Sequence, residues 1–287
     1  MIALILAALA QQAAPAPAPA PAQADVVVTA AREREIRRVA RQVAAVLPPL
    51  PLDQPLARFA SPVCPGVSGL SATAAQAVVD RIGVVADSVG LKVGEPGCDP
   101  NLLVLVVPDG RAAIRRFVTR RQGNLRAQTL SDIRRIVAEP GSARAWVESE
   151  VRSRDGDPLT VESGGPPSLS VQGSSRAVLA FRRDIVSAVV VIDAAAVPSR
   201  DIGQIADYAA LRGLSDARPG KVAAGETILS AFTPGGDATA PTALTALDRG
   251  ILRGLYTGQG NVAVGVKQGT IVREIVSKAA NSSEVLK

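Results

Sequence analysis

The six-residue apolar run LLVLVV at 102–107 is too short for an ordinary helix and is closed by the turn-forming Pro108-Asp109-Gly110, so it predicts a buried strand. A second run, IVSAVVVI at 185–192, follows an apolar stretch at 178–181 and stops at Asp193, predicting another strand. Between and around these runs the apolar period becomes helical. Ala75, Val78, Val79, Ile82, Val85, Ala86 and Val89 recur at three- and four-residue spacing, with Thr73 and Gln76 read as a capping box and Gly90 as the stop. After 102–107, RAAIRRFVTRR sets Arg111, Arg115, Arg116, Arg120 and Arg121 opposite Ile114, Phe117 and Val118, the ordinary pattern of a solvated helix face. A helix from about 200 to 214 carries Ile202, Ile205, Ala206, Ala209 and Gly213 on one side. The capping box of Thr245 with Asp248 opens another that runs to Tyr256, where Gly250 and Gly254 permit close approach of a neighbour.

The N-terminal region is patterned differently. Residues 2–10, IALILAALA, form an apolar run well short of the ~20 residues that span a bilayer, but suited to the core of a secretory leader. An Ala/Pro repeat follows and ends in Ala22-Gln23-Ala24, a small-x-small pattern that predicts a mature N-terminus at Asp25. The basic n-region of such a leader is represented by the α-amino group alone. No cysteine lies near this cleavage pattern, so a lipid anchor is not expected. The hexad DVVVTA at 25–30 resembles the TonB box of outer-membrane receptors over those six residues, while the rest of the chain lacks the length and aromatic-girdled strands of such a receptor. The segment AREREIRRVARQVAAVL then predicts a charged helix closed by Pro48-Pro49. Cys64 and Cys98 are the two cysteines, and an even count in an exported chain predicts a single disulfide closing a loop of 33 residues. A Gly/Pro/Ser-rich stretch at 156–173 predicts a loop or boundary. The chain accordingly divides into a leader with spacer (1–24), a mature N-terminal arm with the charged helix (25–58), an α/β unit (59–155) and a second unit (174–287).

Composition removes more chemistry than it adds. There is no histidine among 287 residues, which excludes Ser-His-Asp and Cys-His nucleophiles, histidine-ligated zinc and any imidazole acid or base. The net charge of +6 invites a nucleic-acid or anionic-surface reading. However, 27 of the 32 basic residues are Arg in an Ala-rich chain, which reads as codon bias, and seven aromatics leave little for base stacking. Nucleic acid is therefore not expected as a partner.

Several templates fail on inspection. The chain contains no S-x-x-K, D-[ST]-G or phosphate-loop pattern. Gly173-Ser174-Ser175-Arg176-Ala177 imitates a nucleophile elbow but has no base to take the serine proton. Gly258, Gly260 and Ala263 fit G-x-G-x-x-A after a helix, where a dinucleotide site needs a strand. Asp155 and Asp157 lack the further spaced oxygens of a calcium loop.

A longer similarity covers residues 186–256. The order of strand, helix, turn at 227–232 and closing helix of the L-T-x-x-D-x-x-x-L-x-x-L-Y type resembles the catalytic half of a zincin metallopeptidase. The resemblance implies that Ala206 and Ala210 stand where the two histidine ligands would be, Asp207 where the catalytic glutamate would be, Gly213 at the glycine that turns the chain and Asp216 at the third ligand. With both histidines absent it implies a degenerate scaffold without metal or cofactor. An alternative needs no family. Ala206 and Ala210 are then simply small residues where a helix packs on a sheet.

The sequence thus predicts an α/β or α+β protein, with a disulfide-bearing α/β unit ahead of a zincin-like α+β unit. The expected function is that of an exported periplasmic or secreted protein, non-catalytic, binding an envelope protein or small ligand, with no transmembrane span in the mature chain. The alternative is a hydrolase using carboxylates or serine, for which Asp207 and Asp216 would have to converge.

Overall fold

The computed structural model describes residues 23–120, 125, 128–161, 165–169, 171, 178–220, 223, 225–236 and 239–284. The leader-like run and the pseudo-elbow at 173–177 lie outside them. Strands and helices build one mixed sheet with helices on both faces, so the expected α/β class is observed. The strands are β1 (Arg58–Phe59), β2 (Pro65–Ser68), β3 (Leu102–Val107), β4 (Ala143–Ser153) and β5 (Phe181–Asp193). One edge of the long β5 carries β4 antiparallel. The other carries β1, opposite Asp184 and Ile185, and then β3, opposite 188–193, both parallel. β2 lies parallel outside β3. Strands from both 59–155 and 174–287 therefore share a single sheet.

Helix α2 (Ala72–Asp87) crosses from β2 to β3, the usual link between parallel neighbours. Its N-terminus corrects the expected capping box. Ser71 is the cap, its hydroxyl accepting from Ala74 N, because the chain is already helical at Ala72 and Thr73. Gln76 instead donates to Asp80, one turn along, at 2.7 Å. The expected bond between Cys64 and Cys98 is formed, with a Cα–Cα distance of 6.1 Å, joining the entries to β2 and β3.

Alternation along β3 and β5 divides the core into two. Leu102, Val104, Val106, Ala188, Val190 and Ile192 face the larger side, against α2, α5 (Ile202–Ser215), α6 (Ala246–Tyr256), α7 (Val264–Glu284) and the long N-terminal α1 (Gln23–Val46). Val189, Val191 and Trp146 face the smaller side, under α3 (Gly110–Arg120) and α4 (Leu130–Ala138). The helix α1 begins ahead of the DVVVTA hexad and includes it. The Gly250/Gly254 expectation is met by α7: a β-carbon at Gly254 would lie 2.5 Å from Ile271 Cα, and one at Gly250 2.2 Å from Ile275 Cγ1.

Two cations, the half-buried Arg58 and the buried Lys267, close the C-terminal end of α6. Arg58 Nη1 donates to the carbonyls of Gly258 (2.9 Å), Leu255 and Tyr256 (both 3.4 Å), and Lys267 Nζ donates to Thr257 O at 2.7 Å. This arrangement explains the G-x-G pattern, since a β-carbon at Gly260 would sit 2.6 Å from Arg58 Nε. Burial, and then the like charge of Arg58, lower the Lys267 ammonium from 10.5 to about 8. Between those values the unfolded chain holds the proton that the folded chain has lost, so stability rises with pH across the window, by at most about 1.4 kcal/mol per unit. Below the folded value both states are protonated and the burial cost is fully felt. Chemical denaturation of the parent between pH 7.5 and 9.5 is expected to show this rise and that of Lys267→Met to lack it. Parallel slopes would assign the rise to other groups.

Candidate functional site

Helix α5 carries four of the five positions singled out by the zincin resemblance, and it is a core helix. Every residue from Gln204 to Ser215 is buried, among the sheet, α2 and α6. Ala206 and Ala210 are both 0% exposed within the main apolar core. The chain does not turn at Gly213. There α5 presses against β3, and a β-carbon would meet Leu102 Cδ1 at 2.8 Å. The turn comes at Asp216, whose φ of 51° is the one left-handed non-glycine backbone among the described residues.

Asp207 is fully buried and committed. Arg81 Nε donates to its Oδ1 at 2.6 Å, while Arg81 Nη2 (3.0 Å) and Leu244 N (2.8 Å) donate to its Oδ2. That fork ties α2 to α5 and fixes the segment leading to α6. Asp248, also buried, does the same for the 310 turn Ile228–Phe232, accepting from Thr227 Oγ1 at 2.6 Å and Ile228 N at 2.8 Å while completing the expected capping box with Thr245. Asp207 and Asp216 are nine positions apart, about half a helical revolution out of phase at ~100° per residue. Asp207 faces α2, whereas Asp216 faces Arg218 and a cavity. Asp155 and Asp157 are turn residues. Ser153 Oγ accepts from the amides of Asp155 (3.2 Å), Gly156 (3.1 Å) and Asp157 (3.0 Å). Among the described residues no group of three or more His, Cys, Asp and Glu is placed to hold a metal ion.

The cavity at Asp216 is the arrangement with chemical potential. It encloses about 280 Å³ beside the outer edge of β4. Pro48, Pro49, Leu50 and Ala57 form one wall, Gln128, Asp132 and Arg135 from the α4 region a second, and Ser215, Asp216 and Arg218 from the end of α5 a third. The strands contribute Trp146, Val147 and Ser149 from β4 and Arg183 from β5. Local structure fixes each charged group. Thr129 caps α4 and its hydroxyl also donates to Asp132 Oδ2 at 2.6 Å, lowering that carboxyl. Arg183 Nη2 donates to Ser149 Oγ at 2.9 Å. Arg218 is anchored through its backbone to Val46 O and through Nη2 to Asp216 Oδ2 at 2.9 Å.

The cavity is left electrically unbalanced. Three guanidiniums stand against two carboxylates in its lining. Burial, and then the like charge of Arg218, push Arg135 below its ordinary value despite Asp216 and Asp132 nearby. Three donors of the lining residues, Arg135 Nε, Arg218 Nε and Trp146 Nε1, are buried without an acceptor. Of the lining serines, Ser215 Oγ donates to Leu211 O (2.5 Å) and Ser149 Oγ accepts from Arg183 Nη2. Of the positions expected from the sequence, Asp216 alone reaches this cavity. Arg135, Trp146, Arg183 and Arg218 were not singled out, because four separate elements bring them together and no linear spacing marks them. Among the described residues no helix is long and apolar enough to cross a membrane. No protein-family model, no curated protein and no solved structure matches the chain.

Proposed function

We propose that the chain is an exported protein of the cell envelope that acts by binding, with the cavity at the β4 edge as the site for a small organic or inorganic monoanion. The observation carrying this reading is the excess of one guanidinium over the carboxylates in the cavity lining. An anion is the partner such a site lacks, and Arg forks suit carboxylate or phosphate oxygens. Export is supported by the leader-like run, the cleavage pattern and a disulfide, which persists in oxidising compartments. The zincin-like similarity of 186–256 enters this reading as a proposal of ancestry alone and assigns no reaction.

Isothermal titration of the purified chain with acetate and with inorganic phosphate, at low ionic strength, tests the proposal. Binding of at least one is expected, weakened by about tenfold to a hundredfold in Arg135→Met and in Arg218→Met, the cost of losing a charged hydrogen bond of ~1.5–3 kcal/mol. Binding of neither anion, or an affinity indifferent to both substitutions, would sink it.

A further inference from the structure

The outer face of α3 carries basic residues with no acidic residue on the helix. From 110 to 120 the sequence holds four Arg and no Asp or Glu; the flanking carboxylates are Asp109, which accepts from Ala112 N, and Asp132 of α4, which pairs with Arg135. Codon bias explains why these residues are Arg and not Lys, but it does not explain the missing carboxylates. On α1 the exposed Arg residues are interleaved with acids, Arg37 pairing with Glu33 and Arg38 with Glu35. On α3 the helical spacing spreads Arg111, Arg115, Arg116 and Arg120 over about 180° of arc at ~100° per residue, and all four are exposed. Arg134 of α4 joins them across a shallow groove of about 420 Å³ floored by Ile133, Val137 and Ala138. Among the described residues Arg115, Arg116, Arg120 and Arg134 form no ion pair. Leu130, the first residue of α4, is 72% exposed in the same layer.

We propose that this face docks on an anionic lipid surface. Its guanidiniums diverge across an arc instead of converging on one point, which matches charges spread over a headgroup plane and not a single small anion. The apolar groove floor and Leu130 offer shallow contact below that plane, while the Arg stems can lie along it with their charges outward. Single-stranded nucleic acid is disfavoured, because the aromatic on these two helices, Phe117, is half-buried against the smaller core. The cavity at the β4 edge takes no part in this docking.

The test is co-sedimentation of the purified chain with vesicles of phosphatidylcholine alone or with roughly one third phosphatidylglycerol, at low and at high salt. Pelleting is expected with the anionic vesicles only, falling as salt rises. The triple variant Arg115→Gln, Arg116→Gln, Arg120→Gln should weaken it by about a hundredfold, at roughly fivefold per guanidinium. The triple Arg34→Gln, Arg37→Gln, Arg41→Gln on α1, which changes net charge equally, should leave it nearly intact, and thermal melts establish that both variants fold. No pelleting with anionic vesicles, an equal loss in the α1 variant, or tighter binding to duplex DNA than to vesicles at matched phosphate would each overturn the proposal.

Discussion

Glu139→Ala is expected to destabilise the chain by about 3–5 kcal/mol, because it would strand a guanidinium in the interior. The Arg212 side chain is 1% exposed, and its Nη1 and Nη2 donate to Glu139 Oε1 and Oε2 at 2.6 and 3.1 Å. Nη1 also donates to the Tyr208 hydroxyl at 2.8 Å and Nη2 to Ala145 O at 3.3 Å. Burial alone would weaken the Arg212 charge, yet Tyr208 and Glu139 overcome it and hold the guanidinium above its ordinary value. The same burial pushes the Tyr208 hydroxyl up to about 12. A lone alanine would leave this cation without a counter-ion and without water. Urea unfolding of Glu139→Ala measures the loss. A double variant, Glu139→Leu with Arg212→Met, should recover most of it, since a buried pair replaced as a whole by apolar side chains is close to neutral. A loss below about 1 kcal/mol for the single variant, the value of a solvent-exposed pair, would show that water reaches Arg212.

Replacing both Cys64 and Cys98 by alanine is expected to cost about 3–4 kcal/mol, on the loop-closure account of a loop this long. The bond fastens the entries of two parallel strands whose connection includes the whole of α2, so without it the unfolded chain regains the conformational freedom that the closed loop had removed. Packing around the bond is tight, with the Cys98 sulfur 2.6 Å from where a β-carbon on Gly94 would lie. Guanidinium unfolding with and without reductant provides the comparison. The reduced parent should match the double variant, and a parent unaffected by reductant would remove the disulfide from the list of stabilising features.

How far the sequence could be read depended on whether an element carried a single period. α2 and α6 are legible because one face of each repeats without interruption, and β3 because its apolar run is short and closed by Pro108-Asp109-Gly110. β4 and α4 were not read. In β4 the alternation is broken by the buried Arg144, by Trp146 and by a register shift between Glu148 and Ser149. In α4 the signal was present as Thr129 capping Asp132 ahead of Ile133 and Ile136, but nine residues were too few for the period to stand out. Helix α5 was legible as a helix and illegible as to its surroundings. A helix buried on all sides shows small residues such as Ala206 and Ala210 whichever neighbour it packs against. Asp207 carried the opposite ambiguity, since a carboxylate clamped by Arg81 and Leu244 N looks in sequence like one held ready for chemistry. The cavity was illegible for a third reason: its lining runs from Pro48 to Arg218, and only the fold brings those positions together.

The place of β5 in the sheet has a consequence for how the protein can be made. β1, β3 and β4 all pair with β5, and β2 alone among the other strands has its partner elsewhere. Until residues 181–193 have left the ribosome, the β2–β3 pair is the one piece of the sheet that can close. Most of the sheet's closure is therefore late in folding, because its long-range pairings wait for a strand not yet synthesised. Once the last strand arrives, all three of its pairings, with β1, β3 and β4, become possible at once.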